Sequence, residues 1–391
     1  MEVSYKPHFR RFIEAAPDRI HLAAHSHHYW PDVSFEAQQR CWLDAARLAD
    51  AKWEMIFDEM WPKAQSHVAR ILNLSDPGTV VFAPNTHELL LRILSCLPVG
   101  RPARVLTTDS EFHSFSRQIA RLEEEGLAAT ERVSTRPFDS FADRFGEAAR
   151  RGGHDLVFLS QVFFNSGYAV PDLAGLIAAV PDPDTLIVID GYHGFMSLPT
   201  DLRPVENRVF YVAGGYKYAM SGEGACFLHV PPGYGDRPRN TGWYAAFGAL
   251  SAPQGSVAYA PGGARFMGST FDPTALYRFN AVMDWLQALG LDPAAIRART
   301  RSLQERFMAE LAARPRIPLK AEQLLVPIDC PHRGQFLTFE TAEAEAFRER
   351  LMAADIVTDN RADRLRFGFA LYHDPEDMAV AADRMARILA A

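Results

Sequence analysis

The sequence has 391 residues, of which 48% are hydrophobic and 23% are charged, which is the composition of an ordinary soluble globular protein. Its 41 basic and 48 acidic residues leave a formal charge of −7, so the chain has no basic field to attract nucleic acid or an anionic membrane. No stretch approaches the ~20 apolar residues of a membrane span. The first residues also lack the apolar segment of a signal peptide, and the 4 cysteines show no CxxC spacing. We therefore expect a cytoplasmic protein with reduced thiols.

A long helical pattern follows an N-terminal arm. From residue 31 to residue 73, apolar residues recur at three- and four-residue steps, which predicts a long amphipathic helix. Its Trp and Met content suits an interface with a second subunit, although packing within the chain would explain it equally well.

Short apolar runs then alternate with helical patterns. The predicted strands are 79–83, 104–108, 155–163, 186–190, 208–213 and 225–230, and the predicted helices between them are 86–96, 115–125, 142–151 and 173–180. Alternation of this kind, with strands that are apolar almost throughout, predicts an α/β fold with a mostly parallel sheet flanked by helices. Ligands of such sheets bind beyond the carboxyl ends of the strands.

The last part of the chain predicts a second, smaller unit. Residues 231–268 are rich in Gly, Pro and aromatic residues and are expected to form an ordered excursion over the site, and a helix over 273–289 would link two lobes. Strands at 324–326, 335–339 and 365–369 and helices at 342–353 and 375–390 indicate a small α+β domain. We accordingly divide the chain into an arm (1–30), a large domain (31–272) and a linking helix with a small C-terminal domain (273–391).

Two charged residues lie at or just past predicted strand ends. Lys217 stands in the run Tyr211-Val-Ala-Gly-Gly-Tyr-Lys-Tyr, and Asp190 closes an earlier apolar run. Pyridoxal phosphate needs such a pair, because the lysine binds its aldehyde as a Schiff base and the aspartate keeps its ring nitrogen protonated. The alternatives are a lysine on a solvated loop and an aspartate that caps a helix.

Other polar and aromatic residues follow the predicted strands. Thr86 and His87 begin a helix whose N-terminus suits a phosphate, although simple N-capping by Asn85 or Thr86 would satisfy the same pattern. Phe112 or His113 would stack on a cofactor ring, but Phe112 could equally be a core residue. His193 would contact the cofactor or support Asp190.

The run His25-Ser-His27-His28 invites the hypothesis of a metal site. Histidines one to three residues apart do not converge from one face of a regular element, so we predict no metal and a loop at the mouth of the active site. Arg366 begins an apolar strand and is the candidate for a bidentate grip on a substrate carboxylate.

Six segments, taken together, resemble the class V branch of the fold-type-I pyridoxal-phosphate enzymes, and within it the kynureninases. They are Gly-Tyr216-Lys217-Tyr, Asp190-x-x-His193, Gly242-Trp243, Ala264-Arg-Phe-Met-Gly-Ser269-Thr, His332-Arg-Gly-x-Phe and Leu365-Arg366-Phe-Gly-Phe-Ala-Leu-Tyr. The resemblance implies a homodimer with active sites at the interface.

The resemblance also implies roles for individual residues. Lys217 would bind the cofactor, Asp190 would pair with its ring nitrogen, and Phe112 would stack on the ring. The substrate carboxylate would bind Arg366, with His25 and Ser26 on the substrate side. The phosphate would be surrounded by Thr86, His87 and Tyr216, together with Trp243 and Ser269 of the partner subunit.

The implied reaction is hydrolysis of the side chain of L-kynurenine to anthranilate and L-alanine. The chain departs from kynureninases on the substrate side, with Phe115 in place of an aspartate and with Ala246 in place of a histidine. Transamination, C–S cleavage and desulfuration therefore stay open, although Cys330, the candidate nucleophile for desulfuration, fits a packed thiol better. A non-catalytic binding protein is the alternative from another class, and the absence of a GxGxxG fingerprint disfavours a dinucleotide-binding domain.

Overall fold

The computed structural model describes residues 3–250 and 255–389. Their strands are β1 (Ile20–His21), β2 (Val80–Ala83), β3 (Ala103–Thr108), β4 (Ala128–Val133), β5 (Leu156–Ser160), β6 (Leu186–Asp190), β7 (Phe210–Gly214), β8 (Cys226–His229), β9 (Phe336–Glu340), β10 (Ile356–Val357), β11 (Asp359–Arg361) and β12 (Arg364–Gly368). Their α-helices are α1 (Arg10–Ala15), α2 (Asp32–Leu48), α3 (Lys52–Met55), α4 (Trp61–Leu72), α5 (Thr86–Leu94), α6 (His113–Glu124), α7 (Phe141–Arg150), α8 (Leu173–Ala178), α9 (Thr274–Ala288), α10 (Pro293–Ala312), α11 (Ala344–Met352) and α12 (Pro375–Leu389). None of these helices combines the length and the apolar composition needed to cross a bilayer.

A seven-stranded sheet forms the centre of the fold, in the order β2-β8-β7-β6-β5-β3-β4. Strands β3 to β7 pair in parallel, and β8 runs antiparallel to both of its neighbours. Every residue of β2, β5, β7 and β8 is buried, as expected where helices cover both faces of a sheet. The predicted α/β fold with a mostly parallel sheet is confirmed.

The register of the sheet brings three strand ends together. Ser160 at the end of β5 lies opposite Asp190 at the end of β6, and Asp190 lies opposite Val212 in β7. Because parallel strands point the same way, residues that follow these ends meet at one edge of the sheet.

The long predicted opening helix is broken. Ala49 adopts a left-handed φ of 47°, which ends α2, and a π-helical stretch (Ile56–Met60) separates α3 from α4. Residues 324–326 were wrongly predicted as a strand, since only an isolated bridge from Leu324 to Phe339 forms there. The sequence pattern also missed β4, a half-exposed edge strand, and α10, whose apolar positions are interrupted by arginines.

A second hydrophobic core surrounds the sheet β11-β12-β9. It joins α10, α11 and α12 to this sheet through Phe307, Phe347 and Met385. The N-terminal segment is tied to the same region, because β1 pairs in parallel with β10 and Gly368 N–H donates to Leu22 O at 2.7 Å. The domain boundaries proposed from the sequence stay a prediction.

Two buried histidines at this junction make stability depend on pH. His28 and His373 are each 4% exposed and pack on Tyr372, and loss of solvation lowers their pKa values to about 4 and about 3. An unfolded histidine titrates near ~6.5, so stability is complete above that pH and falls as the pH drops below it. Between pH 7.5 and 5 we expect a loss of about 2 kcal/mol per histidine in the free energy of unfolding.

Denaturant titrations across this pH range check the expectation. The variant His373→Gln should lose about 2 kcal/mol less than the wild type over the same interval. The exposed His27→Gln serves as the control and should follow the wild type. Equal pH dependences for His373→Gln and the wild type would show that the burial of His373 has no such effect.

Candidate active site

Lys217 lies in a turn that follows β7. The turn is close-packed, since a Cβ on Gly215 would collide with Ser221 Oγ. The lysine is 5% exposed, its Nζ lies 2.7 Å from His193 Nε2, and the ring centres of Tyr192 and Phe112 are 4.8 and 5.5 Å from Nζ. Burial lowers the pKa of Lys217 to about 7, against an opposing effect of Asp190. At neutral pH a large share of this amine is therefore uncharged and able to act as nucleophile or base.

Asp190 lies one strand away, at the end of β6. Its Oδ1 accepts a hydrogen bond from Tyr192 N–H at 2.9 Å, so the residue closes a local turn and caps no helix. Burial raises the pKa of Asp190, while this hydrogen bond and the charge of Lys217 oppose the rise. A cation in the adjoining space would keep the carboxylate ionised.

These two residues border a cavity of about 270 Å³. Seven of the residues predicted from the sequence line it together: Thr86, His87, Phe112, Asp190, His193, Tyr216 and Lys217. They come from five places along the chain: the start of α5, the turn between β3 and α6, the end of β6, the turn after β6 and the turn after β7. The sheet register therefore assembles most of the predicted site.

The N-terminus of α5 forms one end of this cavity. Asn85 caps the helix, because its Oδ1 accepts a hydrogen bond from Glu88 N–H at 2.9 Å. Thr86 occupies the first helical position and lines the cavity. The free N–H groups and the helix dipole suit a phosphate.

Phe112 supplies an aromatic wall. It is half-buried, lines the cavity and meets Phe164 edge-on at 5.3 Å, whereas Phe115 packs inward on Phe158 at 3.6 Å. His113, the other candidate for stacking, is exposed and borders a neighbouring groove. Phe112 is thus the residue placed to cover a ring.

The donor set fits pyridoxal phosphate. The helix N-terminus would hold the phosphate and the aromatic ring would cover the pyridine, while the carboxylate would hold the ring nitrogen and the buried amine would bind the aldehyde. His193 contributes a further polar atom, because its Nδ1 is buried and has no hydrogen-bond partner among the described residues. Burial lowers the pKa of His193 well below its ordinary value, so the ring is neutral.

Arg366 lies beside this cavity without lining it. Its Nη2 contacts the carboxylate of Asp359, the residue opposite it in the β11–β12 ladder, and its Nη1 donates to Phe164 O. Asp359 also accepts from Arg361 Nη1 at 2.7 Å. Loss of solvation lowers the pKa of Arg366 to about 10, although Asp359 opposes the fall. Arg366 Nε has no partner within residues 3–250 and 255–389.

The three histidines of the N-terminal loop diverge. His25 is fully buried, stacks on Phe336 at 4.7 Å and lies 3.8 Å from Asp359, while His27 stacks on Tyr216 and His28 packs on Tyr372. The described part of the chain holds no group of three His, Cys, Asp or Glu residues arranged for a metal.

Three predicted site residues lie elsewhere. Ser26 is half-buried and its hydroxyl contacts only His27 Nδ1, at 3.2 Å, in the described structure. Trp243 is 41% exposed and Ser269 is exposed, and neither borders the cavity of its own chain. Their assignment to the site of a partner subunit stays a prediction.

Several residues of the site were missed by sequence reasoning. Asp359 became visible only through the register of the β11–β12 hairpin, and Glu111 only through its hydrogen bonds to Ser160 at the end of β5. Cys226 lines the cavity, but burial raises the pKa of its thiol to about 11. Cys330 lies outside the cavity, in the turn where Arg333 N–H donates to its carbonyl.

Comparisons with known proteins agree with this geometry. The family model "Aminotransferase class-V" matches residues 50–341. Isopenicillin N epimerase of Streptomyces clavuligerus is 28% identical over 278 residues, which are 66% of this chain. The match spans 65% of the epimerase, slightly less than two thirds of its length.

Solved structures share the whole fold. A variant of C-DES with glycine covalently linked to its pyridoxal-phosphate cofactor superposes with a TM-score of 0.79 at 16% identity, covering 99% of this chain and 100% of that one. The complex of the cystine C–S lyase C-DES with cysteine persulfide gives 0.79 at 17% identity, with 96% and 99% coverage. The cysteine desulfurase of Thermococcus onnurineus NA1 gives 0.81 at 15% identity, with 100% and 99% coverage.

Proposed function

The chain belongs to the class-V aminotransferase family, a family of pyridoxal-phosphate enzymes, and on that premise we propose that it removes the α-hydrogen of an amino acid with Lys217. One observation carries the proposal: a buried amine with a pKa of about 7 shares a cavity with Asp190 and the N-terminus of α5. When bound, the cofactor supplies an electron-accepting ring that eases the breaking of bonds at the α-carbon.

Each part of the cofactor has residues to hold it. We assign Lys217 to the aldehyde, Asp190 to the ring nitrogen and Phe112 to one face of the ring. The phosphate would be held at the start of α5 by Thr86, His87 and Tyr216, and Trp243 and Ser269 of a second subunit would complete its site.

In the proposed reaction, Lys217 accepts the proton of the α-carbon and His193 positions its amine. The neutral imidazole of His193 shares a hydrogen bond between its Nε2 and Lys217 Nζ at 2.7 Å, which holds the amine in the cavity. The rings of Tyr192, Phe112 and Tyr216 surround Nζ and limit the access of water. A desolvated amine with a pKa near the working pH can both accept and return a proton.

The substrate carboxylate is assigned to Arg366. Two arginines, Arg366 and Arg361, face the single carboxylate of Asp359, so the cluster keeps one positive charge for a carboxylate ligand. The buried ring nitrogens of His25 form no hydrogen bond within the described chain and lie beside this charge, which supports the assignment of His25 to the same subsite.

Arg366→Gln is expected to raise KM for the amino acid by about 10- to 100-fold, because a charge-assisted contact to the carboxylate is lost. The effect on kcat should be smaller, since the α-proton is removed by Lys217 and not by Arg366. Steady-state kinetics measure both constants. Arg364→Gln, on the same strand and bonded to Asn165 O, is the control and should leave KM unchanged. An unchanged KM in Arg366→Gln would remove Arg366 from the substrate site.

Among reactions that begin with loss of the α-hydrogen, we favour β-elimination with C–S cleavage. Part of the cavity wall is formed by the apolar side chains of Phe112, Phe164 and Val162, which offer no group to activate the water that hydrolysis of kynurenine requires. The relatives give kynurenine hydrolysis no support, whereas a C–S lyase and a cysteine desulfurase share the fold. Desulfuration needs a thiolate, and the cavity offers only the protonated thiol of Cys226.

Transamination on the same apparatus is the other alternative drawn from the sequence, and the family match supports it. Epimerisation is a further candidate, favoured by the similarity to isopenicillin N epimerase. It needs the α-hydrogen to be removed and then returned on the opposite face, and both steps are within the capacity of an amine with a pKa of about 7.

Hydrogen exchange at the α-carbon tests the proposal directly. The protein with pyridoxal phosphate is incubated in D₂O with L- and D-amino acids, including cystine and kynurenine, and proton NMR follows the α-hydrogen signal. The products then separate the reactions: pyruvate indicates elimination, an enantiomer epimerisation, a keto acid transamination and anthranilate kynurenine hydrolysis. If no amino acid exchanges faster with the wild type than with Lys217→Ala, the proposal is wrong.

A homodimer is the proposed assembly. On α2, Trp42 is 71% and Leu43 is 60% exposed, and on the loop after β8 Phe247 is 56% exposed. Large apolar side chains with this exposure favour burial against another protein surface. A second copy of the chain would also bring Trp243 to the active site. Light scattering after gel filtration measures the mass, and a monomer at micromolar concentration would contradict the proposal.

A further inference from the structure

Glu111 is a carboxyl group buried behind the aromatic wall of the cavity. It precedes Phe112 and is 5% exposed. Its Oε1 accepts from Thr108 Oγ1 at 2.6 Å and from Ser160 N–H at 3.3 Å, and its Oε2 accepts from Ser160 Oγ at 2.5 Å. All three donors are neutral, and no lysine, arginine or histidine of the described residues forms a salt bridge with it. A buried carboxyl group without a cation holds its charge weakly.

Ser160 connects Glu111 to the ring-nitrogen site. It is the last residue of β5, lies directly opposite Asp190 in β6, and lines the cavity together with Asp190. The next residue, Gln161, donates its N–H to Asp190 O at 2.9 Å, which fixes the two strand ends against each other. Glu111 is therefore bonded to the end of β5, and Asp190 closes the adjacent strand β6, so one buried site holds two carboxyl groups.

Burial raises the pKa of Glu111 to about 7, and the charge of Asp190 adds to the rise. The carboxyl group therefore changes its charge near neutral pH. The other ionisable groups of this neighbourhood are Asp109, whose carboxylate is bonded to Ser110 and Thr135, and His113, Asp190, His193 and Lys217.

We propose that Glu111 is a positioning residue that acts through Asp190: when ionised, it places a second negative charge behind the ring-nitrogen end of the cavity and strengthens the binding of a cationic cofactor ring. This inference rests on the proposed function, because it requires the cofactor ring to bind at Asp190. No residue prediction from the sequence included Glu111.

The direction of the pH dependence follows from the coupling between cofactor binding and the ionisation of Glu111. A cationic ring next to two carboxylates favours the ionised form of both, so binding draws a proton off Glu111. By reciprocity, the contribution of Glu111 to affinity is absent at low pH and appears as the pH rises through the range in which it ionises. A purely structural role would give the same loss of affinity at every pH.

Equilibrium dialysis of pyridoxal phosphate against the cofactor-free protein tests the inference without any activity. The ratio of Kd for Glu111→Gln to Kd for the wild type should be close to one near pH 6 and rise to about fivefold near pH 8.5, the usual effect of one added charge in a partly buried site. Lys217 titrates in both proteins, so its effect on Kd cancels in the ratio. Glutamine keeps the shape and hydrogen-bonding capacity of the side chain, and circular dichroism confirms its fold.

Ser160→Ala provides an independent check if Glu111→Gln does not fold. It keeps the carboxyl group but removes its hydroxyl donor, so the pH at which the affinity rises should move upward. The exposed Glu124→Gln on α6 is the control and should match the wild type at each pH.

The outcomes separate the two proposals. A ratio that is constant with pH, or an unmoved midpoint in Ser160→Ala, overturns the role of Glu111 while cofactor binding stands. Failure of the wild type to bind pyridoxal phosphate at any pH overturns both the role of Glu111 and the proposed function.

Discussion

Replacing Lys217 by alanine is expected to lower the rate of α-hydrogen exchange by about 10⁴-fold or more and to remove the visible absorption band of the bound cofactor. Both effects have one cause in the proposed function, in which the amine that binds the cofactor covalently is also the base. Its position is specific: Nζ lies 2.7 Å from His193 Nε2 within a ring of aromatic side chains. No other lysine lines the cavity in the described residues.

The measurement is an absorption spectrum with added pyridoxal phosphate, followed by the exchange assay in D₂O. The alanine variant should still fold, with a denaturation midpoint no lower than that of the wild type, because burial of this amine lowers its pKa and therefore costs free energy on folding. Lys63→Ala, at an exposed ion pair with Asp284, is the control. A Lys217→Ala protein that keeps the visible band and the exchange activity would refute the assignment.

Replacing Asp190 by asparagine is expected to lower the exchange rate by a factor of about 10² to 10³, the scale of a lost electrostatic contact in a buried site. The amide oxygen can still accept the N–H of Tyr192, so the turn after β6 should keep its geometry. What is lost is the negative charge that keeps a ring nitrogen protonated. The affinity for pyridoxal phosphate should also fall.

Exchange kinetics and equilibrium dialysis of Asp190→Asn measure the two effects separately. Asp184→Asn, exposed in the loop just before β6, changes the same charge outside the cavity and should behave as the wild type. If Asp190→Asn retains the full exchange rate, the carboxylate has no part in activating the cofactor and the ring nitrogen must be held elsewhere.

Much of the site could be predicted because its residues stand next to strong local patterns. Asp190 and Lys217 follow apolar runs, Thr86 and His87 open a helix directly after a strand, and Phe112 follows another strand. In a parallel sheet these positions share one edge whatever the details of packing. The strand ends alone were therefore sufficient to predict that these residues lie together.

Where predictions were wrong or incomplete, packing over long sequence distances decided the result. The pattern over residues 31–73 predicts one helix, but the left-handed Ala49 and the π-helical stretch break it so that its pieces can pack on α9. Residues 324–326 are apolar, but their only ladder contact is the bridge from Leu324 to Phe339.

The sequence by itself determined the α/β class and the cofactor, and it singled out Lys217 and Asp190 as candidates, because hydrophobic period and strand-end position are local properties. Only the tertiary structure decided the electrostatic setting of these residues. The carboxylate of Asp359 reached Arg366 through a hairpin register, and Glu111 reached Asp190 through the alignment of β5 with β6. Such pairs depend on which strands become neighbours and on how far each is buried. Burial, in turn, sets the pKa of Lys217 near neutrality and makes an ordinary lysine into a base.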